Sequence, residues 1–229
     1  MSKLTKLKFF KFQKSFNINT LVNAINDFQY NEQNSIGFDI STYDSTSINA
    51  RFIEKIKVME VITNPYGETE EIELIRYNSF EFEIFVFEKV NYLKTYNCPR
   101  SLKKFVEHFA NALSYNFSLN VIKPNIDKFY SFIRESNEIS RFNVTKLNVS
   151  SIPLSEKSNA KMEISSIDNA YSEFKNNTNY NNYVIEKIKL RIRYKNEFSV
   201  ANISSSGSFE ISEILEDFLN TYILSIEEN

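Results

Sequence analysis

The stretch that decides the fold is Tyr183-Val184-Ile185-Glu186-Lys187-Ile188-Lys189-Leu190-Arg191-Ile192-Arg193-Tyr194-Lys195. From position 188 to 194 the even positions are apolar, and from 187 to 195 the odd positions are all basic. Successive side chains of a β-strand point to opposite faces of its sheet, so this alternation predicts a half-buried strand. One face belongs to a core. The other carries a basic row: Lys187, Lys189, Arg191, Arg193 and Lys195.

Part of this stretch occurs twice, because Ile185–Lys189 is identical to Ile53–Lys57. Each half of the chain is predicted to contain a strand, a helix, a long strand with this pentapeptide, a return strand and a helix. The sequence therefore suggests two degenerate repeats, over residues 1–120 and 121–229, within two domains or one continuous domain. Coincidence is the alternative, since α+β chains often repeat an element order.

Apolar spacing and turn residues predict the remaining elements. The predicted strands are Leu4–Phe12, Ile48–Thr63, Glu70–Tyr77, Phe80–Val90, Phe142–Val149 and Glu197–Ser204, besides the basic one. The predicted helices begin near Asn19 or Thr20, Ser101, Pro124, Ser166 and Ser212. The polar segment 31–47 is predicted to be a loop. This pattern indicates an α+β fold with antiparallel sheets and helices on one face.

Composition narrows the functional classes. With 27 Lys and Arg against 29 Asp and Glu, the chain has no overall attraction to a polyanion, so any such site needs local clustering of charge. A single cysteine and the lack of an 18-residue apolar run predict a cytoplasmic protein without a membrane segment. The abundance of Asn, Lys, Ile, Phe and Tyr favours a bacterial or phage source with AT-rich codons.

The usual catalytic groups are scarce. Cys98 and His108 are the only cysteine and histidine, which excludes a zinc site of thiolates and imidazoles, and we expect no cofactor and no catalytic residue. An acidic cluster of Glu71, Glu73, Glu81 and Glu83 could hold Mg²⁺ in a nuclease, although Glu81 and Glu83 also fit a solvated strand face. The fragment Glu173-Phe174-Lys175 resembles the end of the PD-(D/E)xK nuclease signature, within a segment predicted to be helical.

Two interpretations of the basic row remain open. The row could pair with Glu81 and Glu83 in cross-strand ion pairs, or it could bind nucleic acid as an electrostatic track. The first functional hypothesis is a non-catalytic binding or assembly protein that acts through a protein–protein interface, with a protein partner or self-association. The alternative is a nucleic-acid-binding protein that uses the basic strand face. A metal-dependent nuclease is the third.

Overall fold

The computed structural model describes residues 3–115, 117–178, 180 and 182–227, and within them the chain is an α+β protein. Every strand pair with a defined register is antiparallel. The strands are β1 (Leu4–Phe12), β2 (Ile36–Tyr43), β3 (Ser47–Thr63), β4 (Thr69–Phe87), β5 (Val90–Tyr96), β6 (Leu119–Val121), β7 (Ile139–Ser155), β8 (Ser158–Ser165), β9 (Val184–Tyr194), β10 (Glu197–Ser204) and β11 (Ser208–Ser212). The helices are α1 (Ile18–Asp27), α2 (Lys103–Ala112), α3 (Ile126–Glu135), α4 (Ala170–Asn177) and α5 (Glu216–Glu227). None of these described helices is long and apolar enough to cross a membrane.

The chain forms two compact units. The first unit is Phe10–Asn120, and its strands lie in the order β2-β3-β4-β5. The second unit is Met1–Phe9 with Val121–Asn229, and its strands lie in the order β1-β11-β10-β9-β7-β8. The predicted α+β class with antiparallel strands is confirmed, and the predicted division into domains stays a prediction.

Aromatic side chains build the core of the first unit. Phe105 and Phe109 on α2 pack on Phe38, Phe52 and Phe82, which lie on one face of strands β2, β3 and β4, with ring centroids 5.2–6.4 Å apart. Each such pair contributes roughly 0.5–1.5 kcal/mol beyond the buried area. The helix α1 adds its buried side to the same cluster, so helices cover this face of the sheet.

The core of the second unit lies between its sheet and three helices. The even-numbered side chains of β9 from Ile188 to Tyr194 are buried on the helix side, and Ile188 and Leu190 are fully buried. There the ring of Tyr194 lies 5.8 Å from that of Phe218 on α5, and Phe174 on α4 is also buried. The helices α3 and α5 therefore contact the apolar face of β9, α4 packs on the neighbouring strands β7 and β8, and the odd-numbered side chains from Lys187 to Arg193 are exposed.

The observed strands differ from the predicted ones in number and length. Sequence patterns do not predict β2, β5, β6, β8 and β11. The predicted loop 31–47 contains β2, whose outer half is exposed and therefore has no apolar periodicity. The two predicted strands Glu70–Tyr77 and Phe80–Val90 are one continuous strand, β4, because Asn78 and Ser79 keep the pairing with β3.

Two helix starts also need correction. The N-cap of α1 is Asn17, whose side chain accepts a hydrogen bond from the backbone N of Thr20 at 2.7 Å. The predicted caps, Asn19 and Thr20, lie inside the first turn instead. At α2 the residue Ser101 precedes the N-cap position, and its hydroxyl accepts only a long bond of 3.4 Å from Lys103 N.

The repeated pentapeptide occupies two different settings. The pairing of β2 with β3 ends at Glu54, so the rest of Ile53–Lys57 has a strand on one side only. In Ile185–Lys189, by contrast, Lys187 and Lys189 pair with β10 on one side and β7 on the other. These differences give the duplication no support, and the internal repeat stays a prediction.

The only histidine belongs to the aromatic core of the first unit. The ring of His108 lies 5.2 Å from the rings of both Phe28 and Phe38, and its Nε2 has no hydrogen-bond partner among the described residues. Burial lowers the pKa of His108, against the opposing effect of a hydrogen bond to the backbone of Phe28. The folded protein therefore favours the neutral ring.

We expect this ring to make stability depend on pH below neutrality. The unfolded chain protonates His108 near its ordinary pKa of 6.5, whereas the folded chain resists protonation, so stability is full above that pH and declines as the pH falls below it. The variant His108→Phe should flatten the decline between about pH 7 and about pH 5.5, above the ordinary range of carboxyl groups. Thermal melts of both proteins across this range measure the effect, and an equal decline in the two would contradict it.

Candidate interaction surfaces

β9 presents its basic side chains on the face opposite its buried apolar side chains. Lys187, Lys189, Arg191 and Arg193 are all exposed and alternate with buried residues, so the predicted period is confirmed from 187 to 194. Same-face neighbours on a strand lie ~6.7 Å apart, so these four cations span roughly 20 Å.

The strands on both sides of β9 place no carboxylate opposite this row. Opposite it on β10 lie Ser204, Asn202, Val200 and Phe198. Opposite it on β7 lie Asn148, Lys146, Asn143 and Arg141. Among the residues that the structure describes, Lys187, Lys189 and Arg191 form no ion pair. Lys146 does form one, because it binds Glu163 at 2.9 Å, and this hydrogen bond lowers the pKa of Glu163.

The predicted ion pairs between the basic row and Glu81 or Glu83 are wrong. Both glutamates lie on β4, which pairs with β3 and β5 rather than with β9. Glu83 instead binds Lys94 at 2.5 Å and accepts a hydrogen bond from the Tyr96 hydroxyl at 3.2 Å. The basic row is therefore exposed to solvent, and Glu81 and Glu83 of β4 do not neutralise its charge.

One end of the row differs from the sequence prediction. Lys195 lies in the turn after β9, its Nζ is 4.9 Å from the centroid of the Tyr194 ring, and a hydrogen bond to Tyr194 raises the pKa of Lys195. It therefore continues the row less regularly than the four strand residues. Arg193 lies 5.5 Å from the ring of Phe198, which is 73% exposed, so an aromatic ring adjoins the cations.

A second surface is the outer part of the β3–β4 hairpin, residues 55–79, which we call the arm. No residue from 55 to 79 is buried. Nine antiparallel pairs, from Lys55 opposite Tyr77 to Thr63 opposite Thr69, hold its strands together over roughly 30 Å. Its large apolar side chains that are half exposed or more are Met59, Val61, Ile62, Tyr66, Ile75 and Tyr77.

Both edges of the arm lack a neighbouring strand among the described residues. The pairing of β2 with β3 stops at Glu54, and the pairing of β5 with β4 starts at Glu81. Strand edges expose backbone N–H and C=O groups that can bind another strand, and proteins usually protect them. A long apolar ribbon with two open edges is thus a ready template for strand addition.

The tip of the arm is a well-ordered turn. The side chain of Asn64 accepts hydrogen bonds from the backbone N of Tyr66 at 2.9 Å and of Glu68 at 3.0 Å. Gly67 has a φ of 87°, a left-handed conformation that glycine adopts without strain. The turn therefore holds in place Tyr66, which is 91% exposed.

A cavity of about 500 Å³ lies at the base of the arm, where β5 ends. Three phenylalanines, Phe52, Phe80 and Phe105, line it together with polar residues, namely Asn78, Ser79, Asn97 and Ser101. Lys104 at its rim binds the buried carboxylate of Glu54. The cavity is therefore a recess with aromatic and polar walls and one ion pair at its rim.

The residues considered for catalysis do not converge. In the part of the chain that the structure describes, no group of three His, Cys, Asp or Glu side chains could hold a metal ion. Within the acidic cluster, Glu73 binds Lys57 at 2.9 Å and Glu83 binds Lys94. Cys98 is buried. These groups serve packing and ion pairing.

The fragment that resembles a nuclease signature is part of a helix. Glu173 and Lys175 lie on α4, and Phe174 between them is buried. Lys175 binds Asp127 of α3 at 2.9 Å and lies 4.9 Å from the ring of Tyr183. Lys175 thus links α3 to α4, which is a structural role.

No protein-family model matches this chain, and no curated protein matches it. The two surfaces themselves are therefore the basis for inferring a function. The sequence pattern indicates the basic face, because period 2 separates its cations from the core. The sequence pattern does not single out the arm. The unusual length of the hairpin around Asn64 to Gly67 is the one feature of the sequence that could have indicated it.

The exposed Lys189 and the buried Lys94 should contribute differently to the free energy of unfolding. Lys94→Ala should cost about 3–5 kcal/mol, because the side chain of Lys94 is 4% exposed and its loss leaves the carboxylate of Glu83 without this partner. Lys189→Ala should cost less than about 0.5 kcal/mol, since Lys189 is exposed and has no ion pair among the described residues. Urea denaturation of the two variants tests this, and a large cost at Lys189 would contradict it.

Proposed function

We propose that the protein is a non-catalytic assembly protein that binds another protein chain through the arm. The observation that supports this proposal is the run of residues 55–79 without a buried side chain, in which six large apolar side chains are exposed. Exposed apolar patches of this kind mark interaction sites. A two-stranded ribbon alone is marginally stable in water, so a partner strand or surface would stabilise it.

The composition of the arm also suits an interface. Interfaces are enriched in Tyr and Met, and a few aromatic anchors usually carry most of the binding energy. Tyr66 and Tyr77 supply such rings, and Met59 supplies an adaptable apolar side chain. The ion pairs Lys57–Glu73 at 2.9 Å and Arg76–Glu60 at 2.5 Å keep charge on both faces, which favours specific over indiscriminate contacts.

A site-specific cross-linker tests this role in the native host. A photoreactive amino acid at Val61, in the arm, should cross-link the protein to another chain, because Val61 is 62% exposed on the proposed interface. The matched control places the same amino acid at Ile167, which is 95% exposed in the second unit. Equal cross-linking at both positions, or none at Val61, would contradict an interface on the arm.

A second candidate function is nucleic-acid binding through the open face of β9. The observation in its favour is that Lys187, Lys189 and Arg191 are exposed and have no ion pair among the described residues. Evenly spaced cations on a strand face can follow a phosphate backbone without reading its sequence. The exposed ring of Phe198 beside Arg193 provides a surface on which a base of a single strand can stack.

The test is a fluorescence-anisotropy titration with labelled single-stranded and duplex DNA. If four cations contact phosphates of B-DNA, log affinity against log salt should have a slope near about -3.6 between about 50 mM and about 200 mM salt. Lys189→Glu/Arg191→Glu should lower affinity and flatten the slope. The control Lys123→Glu/Lys128→Glu makes the same charge change at two exposed lysines outside the basic row and should behave more like the native protein.

The outcome also separates the two DNA forms. Phe198→Ala should weaken single-strand binding by roughly five- to 150-fold if a base stacks on this ring, and should change duplex binding less. An equal loss of DNA affinity in Lys189→Glu/Arg191→Glu and in its control would mean that only the net charge of the protein matters, and would contradict a site on β9. Negligible binding by the native protein would end this second proposal and leave the row as a solvated face.

A further inference from the structure

On one of its two faces, the free edge of β4 in the arm is complementary to itself in charge. Its even-numbered residues from 70 to 76 share one face of the ribbon, and they are Glu70, Ile72, Leu74 and Arg76. An acidic and a basic side chain therefore lie at equal distances from Glu73, with two apolar side chains between them. A twofold interface places the same patch of each copy against the other, so it requires this kind of symmetry.

The edge of β3 lacks that property. Lys55 and Lys57 lie on one face of the ribbon, whereas Glu60 lies on the opposite face. Twofold antiparallel pairing of two β3 edges therefore cannot place a lysine opposite Glu60 on either face. Charge complementarity favours pairing through β4.

The space along β4 fixes the register. If two β4 edges pair antiparallel about Glu73, Glu70 of each copy lies opposite Arg76 of the other, and Ile72 opposite Leu74. Tyr66 in the tip turn of each copy then reaches the level of Phe80 in the other copy. That level lies just short of Glu81, where β5 occupies the edge. A shift that drove the tip deeper would run into β5. A shift in the other direction would replace the single Glu73–Glu73 pair by two Glu71–Glu73 pairs.

The same register brings the tip to the cavity at the base of the arm. The aromatic lining of that cavity includes Phe80 and Phe105, and the cavity opens beside the end of β5. Tyr66 is an aromatic side chain held at the end of an ordered turn and almost fully exposed. A ring inserted in an apolar recess is the usual form of an interface anchor.

We propose that the occupant of the arm is a second copy of this chain. The two arms point in opposite directions, pair through their β4 edges about Glu73, and each inserts Tyr66 into the cavity at the base of the other. The inference rests on the proposed role of the arm and adds the identity of the partner. Because the two arms overlap along their length, the bodies of the two first units lie at opposite ends of a four-stranded ribbon.

This register is unfavourable on the odd-numbered face of the ribbon, where Glu71 and Glu73 of both copies come together, and this makes it testable. The two Glu73 side chains meet at the centre, where each is neutralised only by its own Lys57 at 2.9 Å. Like charges opposite each other on neighbouring strands weaken their pairing. Glu73→Gln should therefore tighten the dimer several-fold, a change that few other arrangements of the arms would produce.

Sedimentation equilibrium of the purified protein measures the dimer directly. Arg76→Glu and Glu70→Arg should each weaken it about tenfold or more, since each variant places two pairs of like charges across the symmetric interface. Their equimolar mixture should restore a heterodimer, because every Glu then meets an Arg. Arg51→Glu is the matched control, since it breaks an equally exposed cross-strand pair, with Asp39, outside the arm.

A second variant keeps the test independent of arm stability. Tyr66→Ala leaves the hydrogen bonds of Asn64 and the β3–β4 pairing in place, so it should fold normally and still weaken the dimer about tenfold or more. The inference would be overturned if the native protein stays monomeric. It would also be overturned if mixing Arg76→Glu with Glu70→Arg restores no heterodimer and Tyr66→Ala leaves the dimer affinity unchanged. If Val61 then still cross-links to a different protein in the host, the proposed assembly role survives without the homodimer.

Discussion

The antiparallel ladder between β3 and β4 is the interaction on which the first unit depends. Its pairing runs without interruption from Ser47 opposite Phe85 to Thr63 opposite Thr69. The inner half lies under α2 and presents Phe52 and Phe82 to the core, whereas the outer half has no layer above it. One continuous pair of strands thus anchors the exposed ribbon in a packed domain, and burial at the base compensates for the weak intrinsic stability of a lone hairpin.

Sequence patterns recover those parts of the fold whose apolar residues follow one period. β9 is the clearest case, because its burial depends on alternation alone and no turn residue interrupts it. β2 and β8 escape detection because few of their side chains are buried, so their place in the sheet depends more on backbone pairing than on apolar contact. The break wrongly predicted at Asn78 and Ser79 has the same origin. Polar residues there continue a strand because β3 is opposite them.

The candidate surfaces show the same limit. The sequence could place the cations of β9 on one face, because the direction of a side chain is a local property of a strand. It could not say whether those cations meet carboxylates, since that depends on which strands adjoin β9, and β10 and β7 bring Asn202 and Asn143 rather than Glu81 or Glu83. The exposure of the arm is equally nonlocal. A strand with apolar residues on both faces usually indicates burial, and only the early end of β2 and the late start of β5 leave this one uncovered.

The geometry of the arm also sets how it responds to force. Its cross-strand hydrogen bonds lie perpendicular to the strands. A load that pulls the two strands away from each other, across the arm, would break these bonds one pair after another, so the ribbon would yield gradually. A load that slides one strand along the other must strain all nine rungs between Lys55 and Thr63 together, so the ribbon resists it far more strongly. A chain held through this ribbon is therefore mechanically anisotropic, firm along the arm and easily peeled across it.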